Sequence, residues 1–255
     1  MNKRLLGIFI AVAVAVVVIV VCCVMFLTGS VEVKTAGDLT LDDDKVNAIV
    51  SQSGIKKGES IFALDKASAT SAVEKANPYL KVVNIERKFP NKVVIYIAER
   101  SPLLAIPFER EEGESALYAL VDNELKILGV ATESEISGLT PVSNFTISGG
   151  EESAGSFLGE DAEWLAGVVE GAESVTFVSN RFNDFIKNIE FSKSIVRVKT
   201  NTGVTFVLKN DGNVKSMFVG AYTYYSNSAD GSKERTSGYI FFNGAAWEWS
   251  ENQVN

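Results

Sequence analysis

The sequence predicts an α+β protein carried on one N-terminal transmembrane helix. A β-α-α-β-β domain is expected at residues 31–100, then a mostly antiparallel β domain with flanking helices at residues 101–250. Three observations predict this. Residues 5–27 carry no charge, two amphipathic helical windows lie between strand-like runs before Arg100, and short alternating runs separated by turn residues fill the rest.

The charge-free run comprises 23 residues of aliphatic, aromatic, Gly, Cys and Met type. At about 1.5 Å per helical residue it matches a bilayer core about 30 Å thick. Lys3 and Arg4 precede it with no acid beside them, so the positive-inside rule leaves residues 1–4 as a cytoplasmic tail and sends the rest across the cell membrane. A cleaved signal peptide, exiting at Thr28-Gly29-Ser30, is the alternative, but apolar signal cores run only about 7 to 15 residues. The only cysteines, Cys22 and Cys23, lie inside this run, where they read as small apolar fillers, with palmitoylation or an intermolecular disulfide between copies as the weaker alternatives. No disulfide framework is therefore available outside it, and core burial must supply the stability.

After the span, residues 31–35 alternate as a short strand. Val46, Ile49 and Val50 then mark one face of a helix from about 42 to 52, and Asp42, Asp43 and Asp44 suit its positive N-terminal end. A calcium loop would need alternating acids and a glycine, which are missing. A turn bracketed by Gly54 and Gly58 leads to a second helix from about 66 to 76, ending before Asn77-Pro78 because the residue before proline resists the helical region. Two strands hinged on Pro90-Asn91 follow. Val83, Ile85 and Phe89 are expected on one face of the first, and Val93, Ile95 and Ile97 on one face of the second, with Pro90 in the second position of a tight turn.

Downstream, strands are expected at residues 117–121, 125–128, 145–147, 186–191, 195–200 and 204–208, with a hairpin about Asn201-Thr202-Gly203. Helical windows cover about 161–169 and 214–225; in the second, Val214, Met217, Phe218, Ala221, Tyr222 and Tyr225 recur at helical spacing and read as core. Residues 238–250 read as one aromatic strand, and 251–255 as a short tail.

No enzyme class fits these residues. The absence of histidine removes histidine-based triads, general bases and metal sites, and the lack of cysteine beyond residue 23 removes thiol catalysis and structural zinc. Ser53-Gly-Ile-Lys56 matches S-x-x-K without the companion segments a penicillin-binding enzyme needs. Glu111-Glu112 and Glu151-Glu152 could nominally pair as glycosidase carboxylates but sit in loop-like acidic runs. Asn144-Phe145-Thr146 is a formal glycosylation sequon, and the glycine-rich loop at 149–155 lacks the lysine of a phosphate cradle. No cofactor or metal is implied. Past the span, 22 basic residues stand against 32 acids, a formal charge of −10 that does not suit nucleic acid.

One set of residues is familiar as a pattern: Gly54, Gly58, Phe62-Ala-Leu-Asp65, Pro78, Val83, Arg87, Phe89-Pro90-Asn91, Ile95 and Glu99-Arg100-Ser101-Pro102. With the single span before them, they resemble the FtsQ/DivIB family of bacterial division proteins, in which the first module is a POTRA domain. Tyr118-Ala-Leu-Val-Asp122 and Leu139-Thr-Pro-Val142 are similar to strand and turn signatures of the family's β domain. Thr140, inserted in that turn, and Asp211-Gly212, in place of a Leu-Gly pair, depart from it. The resemblance implies a non-enzymatic scaffold of the division septum. It would bind single-pass coiled-coil proteins of the FtsL and FtsB/DivIC type and through them help control septal peptidoglycan synthesis. It further implies that a partner adds a strand to the last strand, with Tyr239, Phe241, Asn243, Gly244 and Trp249 as the partner-binding residues. Another membrane-anchored extracytoplasmic binding or sensing module, or a peptidoglycan-acting enzyme, are the alternatives.

Overall fold

The computed structural model describes residues 3–111, 113–179 and 181–254, and the chain divides into two compact units, Met1–Arg100 and Ser101–Asn255.

The first unit holds α1 (Lys3–Met25), β1 (Ser30–Thr35), α2 (Asp43–Gln52), α3 (Lys66–Ala76), β2 (Leu80–Lys88) and β3 (Lys92–Glu99). Among the described residues no helix is long and apolar enough to cross a membrane. The side chains of residues 3–9, 22 and 23 lie outside the described ones, so the expected span is described only in part, with Cys22 and Cys23 described by their helical backbone alone. From Ile10 onward the apolar side chains of α1 are exposed.

Local chemistry sets the other two helices. Asp42 caps α2, accepting the Lys45 N–H at 2.7 Å. Asp65 caps α3 by accepting from Ala67 and Ser68, which holds its carboxyl below the usual carboxylate range through the Ser68 hydroxyl first and the backbone second. The sheet order is β1-β3-β2, with β3 central, parallel to β1 and antiparallel to β2. Val93, Ile95 and Ile97 face the two helices through a core that includes Ile49, Ile61 and Val73.

Two expectations for β2 fail. A bulge between Val82 and Asn84 shifts the alternation, so Val82 is buried while Val83 is 54% exposed. Phe89 is also out of the core, in a three-residue loop between paired Lys88 and Lys92 whose Phe89–Pro90 peptide is cis. At the end of the unit, Arg100 is buried and donates to Glu74 at 3.1 Å, while the other Glu74 oxygen accepts the Val82 N–H across the bulge.

The second unit runs β4 (Leu104–Pro107), β5 (Leu117–Val121), β6 (Ile127–Thr132), β7 (Thr140–Ser143), α4 (Glu163–Glu173), α5 (Thr176–Ser179), α6 (Phe182–Phe185), β8 (Ile186–Phe191), β9 (Ile195–Thr200), β10 (Val204–Lys209), α7 (Val214–Asn227), α8 (Lys233–Thr236), β11 (Gly238–Phe242) and β12 (Trp247–Ser250). Its strands form one sheet of nine in the order β12-β11-β10-β9-β8-β7-β4-β5-β6. Parallel steps occur at β10–β11, β7–β8 and β4–β7, the rest being antiparallel. Val196, Val198, Val204, Phe206, Leu208 and Ile240 share a core with α4 and α7. Gly167 and Gly171 let these helices touch, because a Cβ at either would lie under 3 Å from Val214 or Phe218.

Three sequence expectations are corrected in this unit. No strand forms at 145–147: Phe145 is buried against Trp164 and Phe191, and only Ile147 bridges, to Phe108. The strand there is β7, too short for periodicity to reveal. The strand expected at 125–128 begins at Ile127, and the single aromatic strand at 238–250 is a hairpin of two.

Candidate functional site

The two outer edges of the nine-stranded sheet differ. At β6, residues 155–158 cover the start of the strand: Gly155 N–H donates to the Ile127 carbonyl (2.7 Å), Ile127 N–H to Ser156 (2.8 Å) and Leu158 N–H to Leu125 (2.9 Å). Beneath lies Lys126, a fully buried cation whose ammonium sits 5.3 Å from the Phe157 ring centroid. Asp122, also buried, accepts the Glu124 and Lys126 N–H groups and shapes the turn into β6.

At the opposite end, among the described residues, no strand covers the outer side of β12. Its hairpin with β11 turns on Asn243-Gly244. The Asn243 carboxamide oxygen accepts from Ala245 and Ala246 (both 2.8 Å), its amide donates to Glu248 (2.6 Å), and Gly244 takes φ +101°, a conformation that favours glycine. Asn243 N–H donates to the Ala246 carbonyl (3.1 Å). Continued along the antiparallel register Phe241↔Glu248 and Tyr239↔Ser250, that bond makes Glu248 and Ser250 face β11, so Trp247 and Trp249 turn their backbone groups outward.

Side chains at this edge divide by face. Trp247 and Trp249 pack against the core below; a Cβ on Gly220 of α7 would meet the Trp247 ring at 2.5 Å, and Trp249 Nε1 donates to the Ser237 carbonyl (2.8 Å). Tyr239 and Phe241 flank buried Ile240 and so lie on the opposite face, half-buried. The structure thus brings the five expected binding residues into one hairpin with different places in it. Asn243 and Gly244 make the turn, Trp249 fixes the outer strand, and Tyr239 and Phe241 form an aromatic surface on β11. Because β12 intervenes, β11 is not itself the edge. Sequence reading missed Trp247 and Glu248, although Asn-Gly between two aromatic runs is a hairpin signal.

Where α7 and α8 meet the turn between β9 and β10, a cavity of about 310 Å³ is lined by Phe185, Tyr222, Tyr225, Arg181 and Arg235 among others. Arg235 stacks 4.9 Å from the Tyr225 ring and pairs with Asp230 (2.7 Å), while burial raises the Tyr222 hydroxyl above the usual tyrosine value.

The candidate catalytic residues do not assemble. Ser53 ends α2 rather than opening a helix, and its hydroxyl donates to the Val50 carbonyl (2.6 Å), while Lys56 is exposed and pairs with Glu59. Glu112 and the side chain of Glu152 lie outside the described residues. Among the described residues no cluster of metal-binding side chains forms.

Comparison with known proteins agrees with the first unit. A family model described as "POTRA domain, FtsQ-type" matches residues 40–100. The cell division protein FtsQ of Corynebacterium glutamicum is 28% identical over 156 residues, 60% of this chain and 62% of that protein. The cell division protein DivIB of Clostridium botulinum is 32% identical over 99 residues, 39% of this chain and 31% of that protein. The chain thus spans less than two thirds of the length of either relative. The first unit thus carries an FtsQ-type POTRA domain, and the relatives that the chain is similar to bear the FtsQ and DivIB names.

Proposed function

We propose that this protein is a non-enzymatic scaffold of bacterial cell division, held in the cell membrane by residues 5–27 with its two domains, 31–100 and 101–250, outside the cytoplasm. It works at the septum by capturing FtsL-like and FtsB/DivIC-like membrane partners, and so helps control septal peptidoglycan synthesis. The division role rests on the relatives' names; the anchor rests on the charge-free run behind Lys3 and Arg4.

One observation carries the capture mode: the open side of β12. An uncovered edge strand offers N–H and C=O groups to an incoming strand, and at the other end of the same sheet residues 155–158 occupy the start of β6. A partner strand paired beside β12 would meet the outward backbone of Trp247 and Trp249, with Tyr239 and Phe241 supplying apolar contact on one face.

The test is co-purification of the full chain with its membrane partners. Phe241→Lys should weaken capture of the FtsB/DivIC-like partner by about tenfold or more, because it places a charge on the half-buried aromatic face, while membrane insertion stays unchanged. Undiminished capture would remove the strand-addition reading. An even distribution of a fluorescent fusion around the envelope, with normal septation on depletion, would remove the scaffold reading altogether.

A further inference from the structure

Three phenylalanines meet where α1 ends. Phe26 follows the last residue of α1, Phe62 lies in the 3-10 turn before α3, and Phe89 sits at the tip of the β2–β3 hairpin. Their ring centroids are 5.2 Å (Phe26–Phe62), 5.4 Å (Phe62–Phe89) and 5.9 Å (Phe26–Phe89) apart, yet Phe62 and Phe89 are each 58% exposed. Aromatic rings that find one another but not the core form a surface, and here the surface continues the exposed apolar side chains of α1.

The backbone holds that surface firmly. Ile61 N–H donates to the Phe26 carbonyl (2.9 Å), Thr28 N–H to Glu59 (2.8 Å), Gly58 N–H to Thr28 (2.8 Å) and Gly29 N–H to Asn91 (2.6 Å). Gly29 packs closely on the hairpin tip, since a Cβ there would lie 2.9 Å from the Asn91 side-chain amide. The Arg87 guanidinium, donating to the Leu64 carbonyl at 2.7 Å, ties the turn carrying Phe62 to β2. Four bonds within a few residues leave no free linker between α1 and the domain, so the depth of α1 sets the depth of Phe62 and Phe89.

We infer that Phe26, Phe62 and Phe89 form a lipid-docking surface that seats the POTRA domain in the headgroup–acyl boundary of the membrane entered by α1. The inference rests on the reading of residues 5–27 as a span. Rings of this kind favour that boundary, where an apolar face enters about 5–10 Å. Lys88, beside Phe89, is paired with Glu86 at 3.5 Å, so the three rings carry the contact.

The test places the photoreactive phenylalanine analogue benzoylphenylalanine at position 62 or 89 in the full chain, reconstituted in phosphatidylcholine–phosphatidylglycerol vesicles. Position 14 within α1 and exposed position 83, several residues from the hairpin tip, serve as references. Phospholipid adducts should form at 62 and 89 several-fold above position 83, approaching position 14. Adducts at 14 with only background at 62 and 89 overturn the docking surface and leave the span intact, whereas none at 14 overturns the span itself. Chain-to-chain adducts at 62 and 89 would assign the surface to a second copy instead.

Discussion

The β6 and β12 ends of the nine-stranded sheet solve the same problem in opposite ways. An edge strand is a template for further pairing, and at β6 the chain blunts the hazard by laying residues 155–158 across the start of the strand, over a buried lysine and a buried aspartate. At β12 it leaves the edge open, but invests heavily in holding that edge in place: an Asn-Gly turn, an indole hydrogen bond and a tryptophan seated on a glycine of α7. The difference teaches that openness and looseness are separate properties. A docking edge has to be rigid enough for its register to mean something.

Four perturbations would break or sharpen this contrast. The largest stability effect belongs to the covered edge: Asp122→Ala leaves the Glu124 and Lys126 N–H groups without their acceptor at a buried site, and should cost about 2–3 kcal/mol in urea unfolding with partner capture unchanged. At the open edge, Gly220→Val should cost about 1–3 kcal/mol by crowding Trp247, and it should weaken capture as well, since the displaced indole belongs to β12. Gly244→Ala, forced into φ +101°, should cost about 1 kcal/mol and blur the β11–β12 amide signals without touching β6.

Proton titration should give the smallest effect, with opposite signs at the two ends. Glu135, beside β6, has its carboxyl lowered by the Thr132 N–H first and the Thr132 hydroxyl second. A depressed folded value stabilises above the unfolded pKa and is lost as pH falls through the folded one, so the β6 end loosens in acid. Near the hairpin, Lys233 is raised by its hydrogen bond and ion pair with Glu251. That support is full below the unfolded lysine value and is lost as pH rises through the raised one. Both groups are fully exposed, so residue-resolved NMR titration rather than global unfolding is the measurement; hairpin signals that stay fixed as Lys233 deprotonates in alkali would contradict the assignment.

What the sequence disclosed follows the reach of each interaction. The α3 boundaries at Lys66 and Ala76, and the strands β5, β8 and β9, were legible because caps, proline and alternation act within a few residues. The bulge at Val83 was not: a single extra residue changes the face of a side chain without changing composition. Strands β4 and β7 are four residues each and exist because a distant strand pairs with them, so no local pattern announces them. Lys126, a residue type rarely buried, is fully buried, and nothing local in the sequence marks it. For the candidate site, the aromatic content of residues 238–250 was plain, and its division into an inner and an outer strand was written in Asn243-Gly244. Which of the two ends of the sheet stays uncovered depends on residues 155–158, far away in the sequence.

The crossover from β10 through α7 and α8 to β11 has a consequence for how the molecule breathes. Strand β11 pairs in parallel with β10 across that crossover, and the entropy of closing so long a connection is offset when the intervening helix docks. The β11–β12 hairpin and α7 therefore open and close as one cooperative unit, and their amide protons should exchange with a shared free energy, apart from those of β4–β6. A partner strand bound beside β12 would then slow exchange in a helix it never touches.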